Sequence, residues 1–358
     1  MRNLRVGVIG TGRISGSHIT GYLNTEGVEL YGVCDVVGER ATAAAEKHSI
    51  PHVFKDYEEL VACPEIDLVS ICTPPFAHKD PTIAALEAGK HVLCEKPMAL
   101  TAVEAEAMVN AWERARPSHG NLFTIGYQGR WTRSAQLLKR FIDAGELGDI
   151  YYGRALATRR RGLPGWGVFT DKRLNGGGPV IDIGVHALDR ALWLMGHPEP
   201  TSVMAVTFNK FGNRPGMFNP WGQWDHEGFD VEDAAFALIR FANGACLQLE
   251  CSWILNIERS ISKTILCGTE GGAEIDPLKV YQERHGTILD VVVPQGVTEG
   301  QDAPVDRPHT VEIRGFVKAI REGSDPLVHP RQALMVARIV DAIYESDREG
   351  RSIQLRGS

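Results

Sequence analysis

No stretch of this chain is apolar for long enough to cross a bilayer, which argues against a helical membrane protein. Its first apolar run, from Val6, already belongs to a strand that leads into a glycine-rich turn, so no secretory signal peptide is expected. Cysteine is scarce: seven, an odd number, scattered and without a CxxC pair, which points to reduced thiols in a cytoplasmic protein. Basic charge is not in surplus, since 38 Lys and Arg face 45 Asp and Glu for a net charge of −7, and this argues against a nucleic-acid binder. The single basic cluster, Arg159-Arg160-Arg161, sits beside a glycine-rich turn rather than in a tail. Internal repeats and low-complexity tracts are missing, and no cluster of histidine and cysteine supplies an obvious metal site. What remains is a soluble globular composition, 43% hydrophobic and 23% charged, in a chain of 358 residues that exceeds one ordinary domain.

The most informative segment lies at the start. Leu4 to Ile9 alternate branched apolar side chains and run straight into Gly10-Thr11-Gly12-Arg13-Ile14-Ser15, after which the pattern turns helical. A glycine turn between a buried strand and a helix N-terminus holds a dinucleotide pyrophosphate, because backbone N–H groups and the helix dipole favour the anion. Ser15 stands where a third glycine is usual. A second strand from Val28 ends in Cys34-Asp35, and an acidic residue there can accept hydrogen bonds from an adenosine ribose while repelling a 2′-phosphate. NAD is therefore expected ahead of NADP, although Arg40 is close in sequence.

Strands and helices then alternate: a helix from Gly38 to His48, strands near Val53 and at Asp67 to Cys72, a helix from Thr82, and a strand from His91 to Cys94. Thr101 with Glu104 forms a capping-box pattern ahead of a helix to about Arg116, and Leu122 to Gly126 reads as a further strand. This alternation predicts a doubly wound parallel sheet over residues 1–126, a Rossmann domain. Beyond it, long alternating runs at Ile150 to Thr158, Ser202 to Phe208, Ala234 to Phe241, Ala245 to Trp253, Lys263 to Gly268 and Leu289 to Val293 predict an α+β domain over 127–358, built on a largely antiparallel open-faced sheet. The helical spacing of residues 330–350 predicts a terminal helix with Gly350 as its C-cap. The long aromatic stretch Asn209 to Asp230 reads as a substrate lid or a subunit contact.

Three further motifs carry chemistry. Thr73-Pro74-Pro75 with His78 follows one Rossmann strand, and Glu95-Lys96-Pro97 follows the next. A lysine at the carboxyl end of a strand, pinned by proline, can project into a cofactor crevice and handle a proton. In the second domain, Gly176-Gly177-Gly178-Pro179 marks a helix start with room for a ligand, followed by Asp182, His186 and Asp189 near one helix face. A carboxylate one turn from a histidine makes an acid/base pair in which the carboxylate orients the ring.

Together these motifs resemble the Gfo/Idh/MocA oxidoreductase family, whose members include glucose–fructose oxidoreductase and inositol dehydrogenases, over essentially the whole chain. The resemblance implies an NAD(P)-dependent dehydrogenase acting on a secondary hydroxyl of a sugar, glycoside or cyclic polyol. It matches Lys96, Asp182 and His186 to the catalytic trio, and leaves open whether Lys96 or His186 takes the proton. It implies cofactor contacts from Gly10, Thr11, Gly12, Arg13, Ile14, Asp35, Thr73, Pro74, His78, Glu95 and Lys96. Arg130, Trp166, Asp182 and His186 are implied to meet substrate, with no metal. Trp166 lies in the stretch Arg161 to Gly167, which resembles members linked to glycoside and disaccharide use. A homodimer or homotetramer is implied as well, and so is a terminal helix 330–350 that packs back on the Rossmann domain. Two other readings fit the same motifs: a redox-cycling lyase or glycosidase that retains NAD, and a non-catalytic sugar or dinucleotide sensor.

Overall fold

The computed structural model describes residues 2–292 and 307–355. The chain forms two compact units, residues 2–128 with 307–337, and residues 129–292 with 338–355. The first unit contains β1 (Leu4–Ile9), α1 (Ser15–Leu23), β2 (Val28–Cys34), α2 (Gly38–His48), β3 (His52–Val53), α3 (Tyr57–Ala62), β4 (Leu68–Ile71), α4 (Lys79–Glu87), β5 (His91–Cys94), α5 (Ala102–His119) and β6 (Phe123–Ile125). Its six strands are all parallel, in the order β3-β2-β1-β4-β5-β6, so the expected doubly wound sheet is present.

Register decides where the motifs fall. Ile9 pairs with Cys34 and with Ile71, Ile71 with Cys94, and Cys94 with Ile125. The residues that follow these strand ends, Gly10, Asp35, Thr73, Lys96 and Gly126, therefore line one edge of the sheet, the edge where α/β sheets bind ligands. Thr101 caps α5 by accepting from the Glu104 N–H at 3.2 Å. The Glu104 carboxylate closes the capping box on the Leu100 N–H at 3.2 Å, one residue earlier than the usual partner.

In the second unit, α6 (Arg133–Asp143), β7 (Ile150–Thr158) and α7 (Lys172–Asn175) precede a single π-turn at Val180–Gly184 that feeds α8 (Val185–Leu194). Seven further strands follow: β8 (Pro200–Phe208), β9 (Ala234–Phe241), β10 (Cys246–Ser252), β11 (Ile261–Gly268), β12 (Gly271–Ile275), β13 (Lys279–Arg284) and β14 (Thr287–Val292). Val293, expected to end the last strand, lies outside the described residues. With β7 and β15 (Ile353–Gln354) they make a nine-stranded sheet in the order β14-β13-β12-β11-β7-β10-β9-β8-β15. Only β7 and β10 pair in parallel; the other neighbours are antiparallel, as expected for this domain.

Two helices close the chain, α9 (Pro308–Glu322) and α10 (Pro330–Glu349). The helix α9, which no periodicity reading placed in advance, buries Ile313, Phe316 and Val317 in the core of the first unit beside Ile19, Tyr22 and Val33. Each such side chain contributes about 1.5–3 kcal/mol by leaving water, enough to hold a helix remote in sequence against the parallel sheet. The first part of α10, to residue 337, also groups with the first unit, and its remainder groups with the second.

Candidate active site

In the first unit the turn after β1 fits a dinucleotide. Gly10 has φ +86°, and a Cβ there would lie 2.9 Å from the Cys72 and Thr73 backbone, so no other residue suits the position. At Gly12 and Gly16 a Cβ would meet nothing, so the backbone of the turn is open to close approach by a ligand. No side chain caps the N-terminus of α1, and its first turn holds no acidic residue, which leaves the helix end suited to phosphate. Asp35 holds this turn in place. Its Oδ2 accepts from the Thr11 N–H at 2.8 Å and the Thr11 hydroxyl at 3.1 Å, and its Oδ1 accepts from the Val37 N–H at 2.9 Å.

Two residues expected to touch cofactor do something else. His78 is fully buried, with Nε2 2.8 Å from the Thr73 carbonyl and Nδ1 2.7 Å from the Pro97 carbonyl. It ties the Thr73-Pro74 turn to the Lys96-Pro97 turn and is not itself presented to a ligand. Burial pushes its pKa down, and the contacts with the Thr73 and Pro97 carbonyls oppose that shift. Glu95 is likewise buried, and its carboxylate turns inward to His18 Nε2 at 2.8 Å. Burial alone would raise the Glu95 carboxyl; the hydrogen bond from His18 and the His18 charge outweigh it and hold the group at about 2. Burial alone would lower His18, but Cys72 and Glu95 together raise it well above its ordinary value. His18 Nδ1 in turn lies 2.7 Å from the Ser70 hydroxyl, which also accepts from the Tyr22 hydroxyl at 3.2 Å. The chain Tyr22–Ser70–His18–Glu95 thus braces the backbone that carries Lys96, whose N–H donates to Glu95 Oε2 at 3.2 Å. Sequence reasoning missed this brace. Its signal was present: Ser15, His18 and Tyr22 lie on the buried face of α1 at helical spacing.

In the second unit, the glycine triplet does not leave room for a ligand as expected. A Cβ at Gly177 would lie 1.9 Å from the Tyr344 hydroxyl, and one at Gly178 2.0 Å from the Glu232 carbonyl. The glycines let these groups pack against the helix start. The buried Glu232 carboxylate accepts from the Gly178 N–H at 3.0 Å, the Val180 N–H at 3.1 Å and the Tyr344 hydroxyl at 3.0 Å, capping the π-turn from 52 to 54 residues away. A π-turn of this kind breaks the ordinary helical phase and often marks a functional residue. Here it carries Asp182, whose Oδ2 accepts from Trp253 Nε1 at 2.9 Å and lies 3.4 Å from Arg159 Nη1.

His186 follows on α8 and lines a cleft of about 400 Å3 with Thr158, Arg159, Arg190, Ser260 and Ser262. That volume lies in the range of small-molecule sites; Ala157, Ile183, Ala187 and Ile261 make most of the wall apolar, and the polar side chains are the groups available to a hydroxylated ligand. Asp189 departs from the expected shared face: it is fully buried and accepts from Arg130 Nε at 2.9 Å and Nη2 at 2.6 Å. Arg130 is fully buried as well, so the structure does not present it to substrate as expected. The aromatic stretch is anchored to the body of this unit. Asp233 Oδ2 gathers the N–H groups of Lys210, Phe211 and Gly212, and Trp224 is core, packed with Leu163, Phe229 and Trp253. Trp166 and Trp221 stay partly exposed on this scaffold.

Family models cover both units of the chain. Residues 4–124 match the oxidoreductase family with an NAD-binding Rossmann fold, and residues 139–355 match the same family's C-terminal alpha/beta domain. The chain belongs to the Gfo/Idh/MocA oxidoreductase family. Among relatives, it is 35% identical to a D-glucoside 3-dehydrogenase of Escherichia coli (strain K12), over 98% of this chain and 97% of that protein. It is 30% identical to a scyllo-inositol 2-dehydrogenase (NAD(+)) of Bacillus subtilis (strain 168), over 98% and 96%. A solved levoglucosan dehydrogenase in complex with NADH and L-sorbose superposes with a TM-score of 0.85 at 27% identity, covering 99% of this chain and 100% of that one. The Rossmann unit is thus an NAD-binding unit, as the turn after β1 had indicated. No helix among the described residues is long and apolar enough to cross a membrane.

Proposed function

We propose that this protein oxidises a secondary hydroxyl of a sugar, glycoside or cyclic polyol, passing the hydride to NAD. The observation that carries this reading is the alignment of Gly10, Asp35, Thr73 and Lys96 along one sheet edge, together with a cleft in the other unit that His186, Arg159, Arg190 and three hydroxyl side chains line. The relatives named above are dehydrogenases of sugars and inositols, which favours net oxidation over a redox-cycling lyase or a sensor. A screen of monosaccharides, inositols and glycosides for NADH absorbance tests it; no absorbance with any of them would refute it.

When bound, the nicotinamide supplies the hydride acceptor. The turn after β1 and the N-terminus of α1 would hold the pyrophosphate, and Asp35 the adenosine ribose. The His186 ring receives the hydroxyl proton, and Asp182 keeps that ring in a fixed tautomer. Lys96 Nζ donates a hydrogen bond to the reacting oxygen and stabilises the developing negative charge. Thr158, Ser260 and Ser262 are the neutral groups available to hold further hydroxyls in the cleft.

NAD is the expected coenzyme in preference to NADP. A carboxylate fixed at the end of β2 meets the 2′-phosphate with like charge, a penalty worth about tenfold or more in affinity. Calorimetry with both coenzymes checks this, and tighter binding of NADP would implicate the exposed Arg40 instead.

The protein is also expected to be a dimer or tetramer of closed symmetry. On the open face of the second sheet, Met204 pairs with Leu238, and both are exposed beside Val206. A contiguous apolar patch on regular strands marks an interaction surface. Light scattering at micromolar concentration reads the mass directly, and a stable monomer would contradict the assignment.

A further inference from the structure

Two tryptophans are held near the surface where a soluble chain would ordinarily place polar side chains. Trp221 is 45% exposed and Trp166 37%. Their ring centroids are 5.6 Å apart with planes tilted by 50°, and Phe169 meets Trp166 edge-on at 6.3 Å. The backbone beneath them is fixed. Asn219 donates from Nδ2 to the Leu163 carbonyl at 2.8 Å and to the Gly222 carbonyl at 2.9 Å, joining the segment of Trp221 to that of Trp166.

The pair is continuous with the His186 cleft through one residue. Arg159 lines the cleft, and its guanidinium carbon stands 4.8 Å from the centre of the Trp221 ring. Arg159 Nη1 donates to the Gly162 carbonyl at 2.9 Å and lies 3.4 Å from Asp182 Oδ2. A Cβ at Gly162 would lie 2.9 Å from the Arg159 side chain and 3.3 Å from the Trp221 ring, so this glycine permits the stack. A connected series therefore runs Asp182, Arg159, Trp221, Trp166, from the proposed acid/base pair outward.

We propose that Trp166 and Trp221 form an aromatic subsite for the aglycone of a glycoside whose sugar ring occupies the His186 cleft. This rests on the dehydrogenase reading above and narrows its substrate to glycosides over free sugars. Indole faces favour aromatic rings and the apolar C–H faces of a pyranose, both of which an aglycone or second sugar unit offers. Rings already fixed by the loop lose little freedom when a ligand stacks on them, so the contact is retained as affinity. Binding energy gained away from the reacting carbon acts mainly on the Michaelis constant when it is equal in ground and transition states.

The test compares wild type with Trp221→Ala, Trp166→Ala and Trp221→Phe, using glucose and 4-nitrophenyl glucoside as substrates. The ratio of kcat/KM for the aryl glucoside to that for glucose is expected to fall about tenfold in each alanine variant, mostly through KM, and to recover largely in Trp221→Phe. An unchanged ratio overturns the subsite. So does a fall for both substrates alike with a smaller mass in light scattering, which would make the pair a contact between copies. Calorimetry of 4-nitrophenyl glucoside with the protein and NADH separates this inference from the function it rests on. If no sugar is oxidised yet the alanine variants bind the glucoside about tenfold more weakly, the subsite stands and the dehydrogenase reading falls. Equal binding by all variants, or none by wild type, overturns the subsite.

Discussion

Replacing Lys96 or His186 by alanine is expected to lower turnover by about 100-fold or more, with NAD binding largely kept. The two side chains belong to different units, and neither is part of the glycine turn or the Asp35 clamp that would hold the dinucleotide. Lys96 sits on a backbone braced by Glu95 and His18 on one side and by His78 on the other, so its removal should leave that brace standing. His186 follows the π-turn capped by Glu232, and its loss should leave the cap intact. Asp182→Asn should preserve the fold, because the Trp253 N–H can still donate to the amide oxygen, yet impair catalysis through a misoriented imidazole. The measurements are steady-state kinetics on the best substrate and calorimetric NAD affinity. Near-wild-type rates in both Lys96→Ala and His186→Ala would remove these residues from the proposed chemistry.

Much of the first unit was legible because its signals are local. The run from Leu4 to Ile9, the glycine after it, and the helix from Gly38 to His48 each depend on residues within a few positions of one another. The strand from His91 to Cys94 and the Thr101 cap are of the same kind. The helices α3, α6 and α9 were missed; α9 buries its apolar face against residues more than 200 positions away, and only the folded core shows that partner. In the second unit the alternating strands β7, β9 and β10 were plain, whereas the short β12 and β13 were not.

At the candidate site the sequence named the right neighbourhood but not the division of labour within it. His78 and Glu95 sit in motifs at the ligand-binding edge, and a motif does not say which way a side chain turns. Both turn inward, because a buried imidazole or carboxylate must find partners, and the Thr73 and Pro97 carbonyls and His18 provide them. Glycines 177 and 178 were read as space for a ligand when they are space for Glu232 and Tyr344. Trp224 lies in the stretch read as a substrate lid or subunit contact, but its indole N–H donates to the Gly212 carbonyl at 2.6 Å and its ring is core. For Glu95 and the two glycines the deciding partners, His18, Glu232 and Tyr344, are remote in sequence, which no local pattern encodes.

Asp189→Ala is expected to destabilise the protein by about 3–5 kcal/mol, the cost of leaving a buried guanidinium without its carboxylate. Arg130 and Asp189 are both fully excluded from water and joined by two hydrogen bonds, from Nε at 2.9 Å and Nη2 at 2.6 Å. Arg130 Nη2 also lies 3.1 Å from His197 Nε2. Burial first, and then the charges of Arg130 and Lys139, push His197 down to about 3, so its ring is neutral and accepts this hydrogen bond. The arginine thus has a committed acceptor on each side. Removing both charges together, as in Arg130→Leu with Asp189→Leu, should cost much less than either single change, because no unpaired ion is then left inside. Denaturant unfolding of the two single variants and the double variant measures this, and a single-variant loss below about 1 kcal/mol would contradict it. The same experiment separates positioning from substrate contact. Asp189 lies on α8 one turn beyond His186, so a weakened pair should lower kcat together with stability. An Arg130 variant that raises KM at unchanged stability would instead restore the arginine to the substrate.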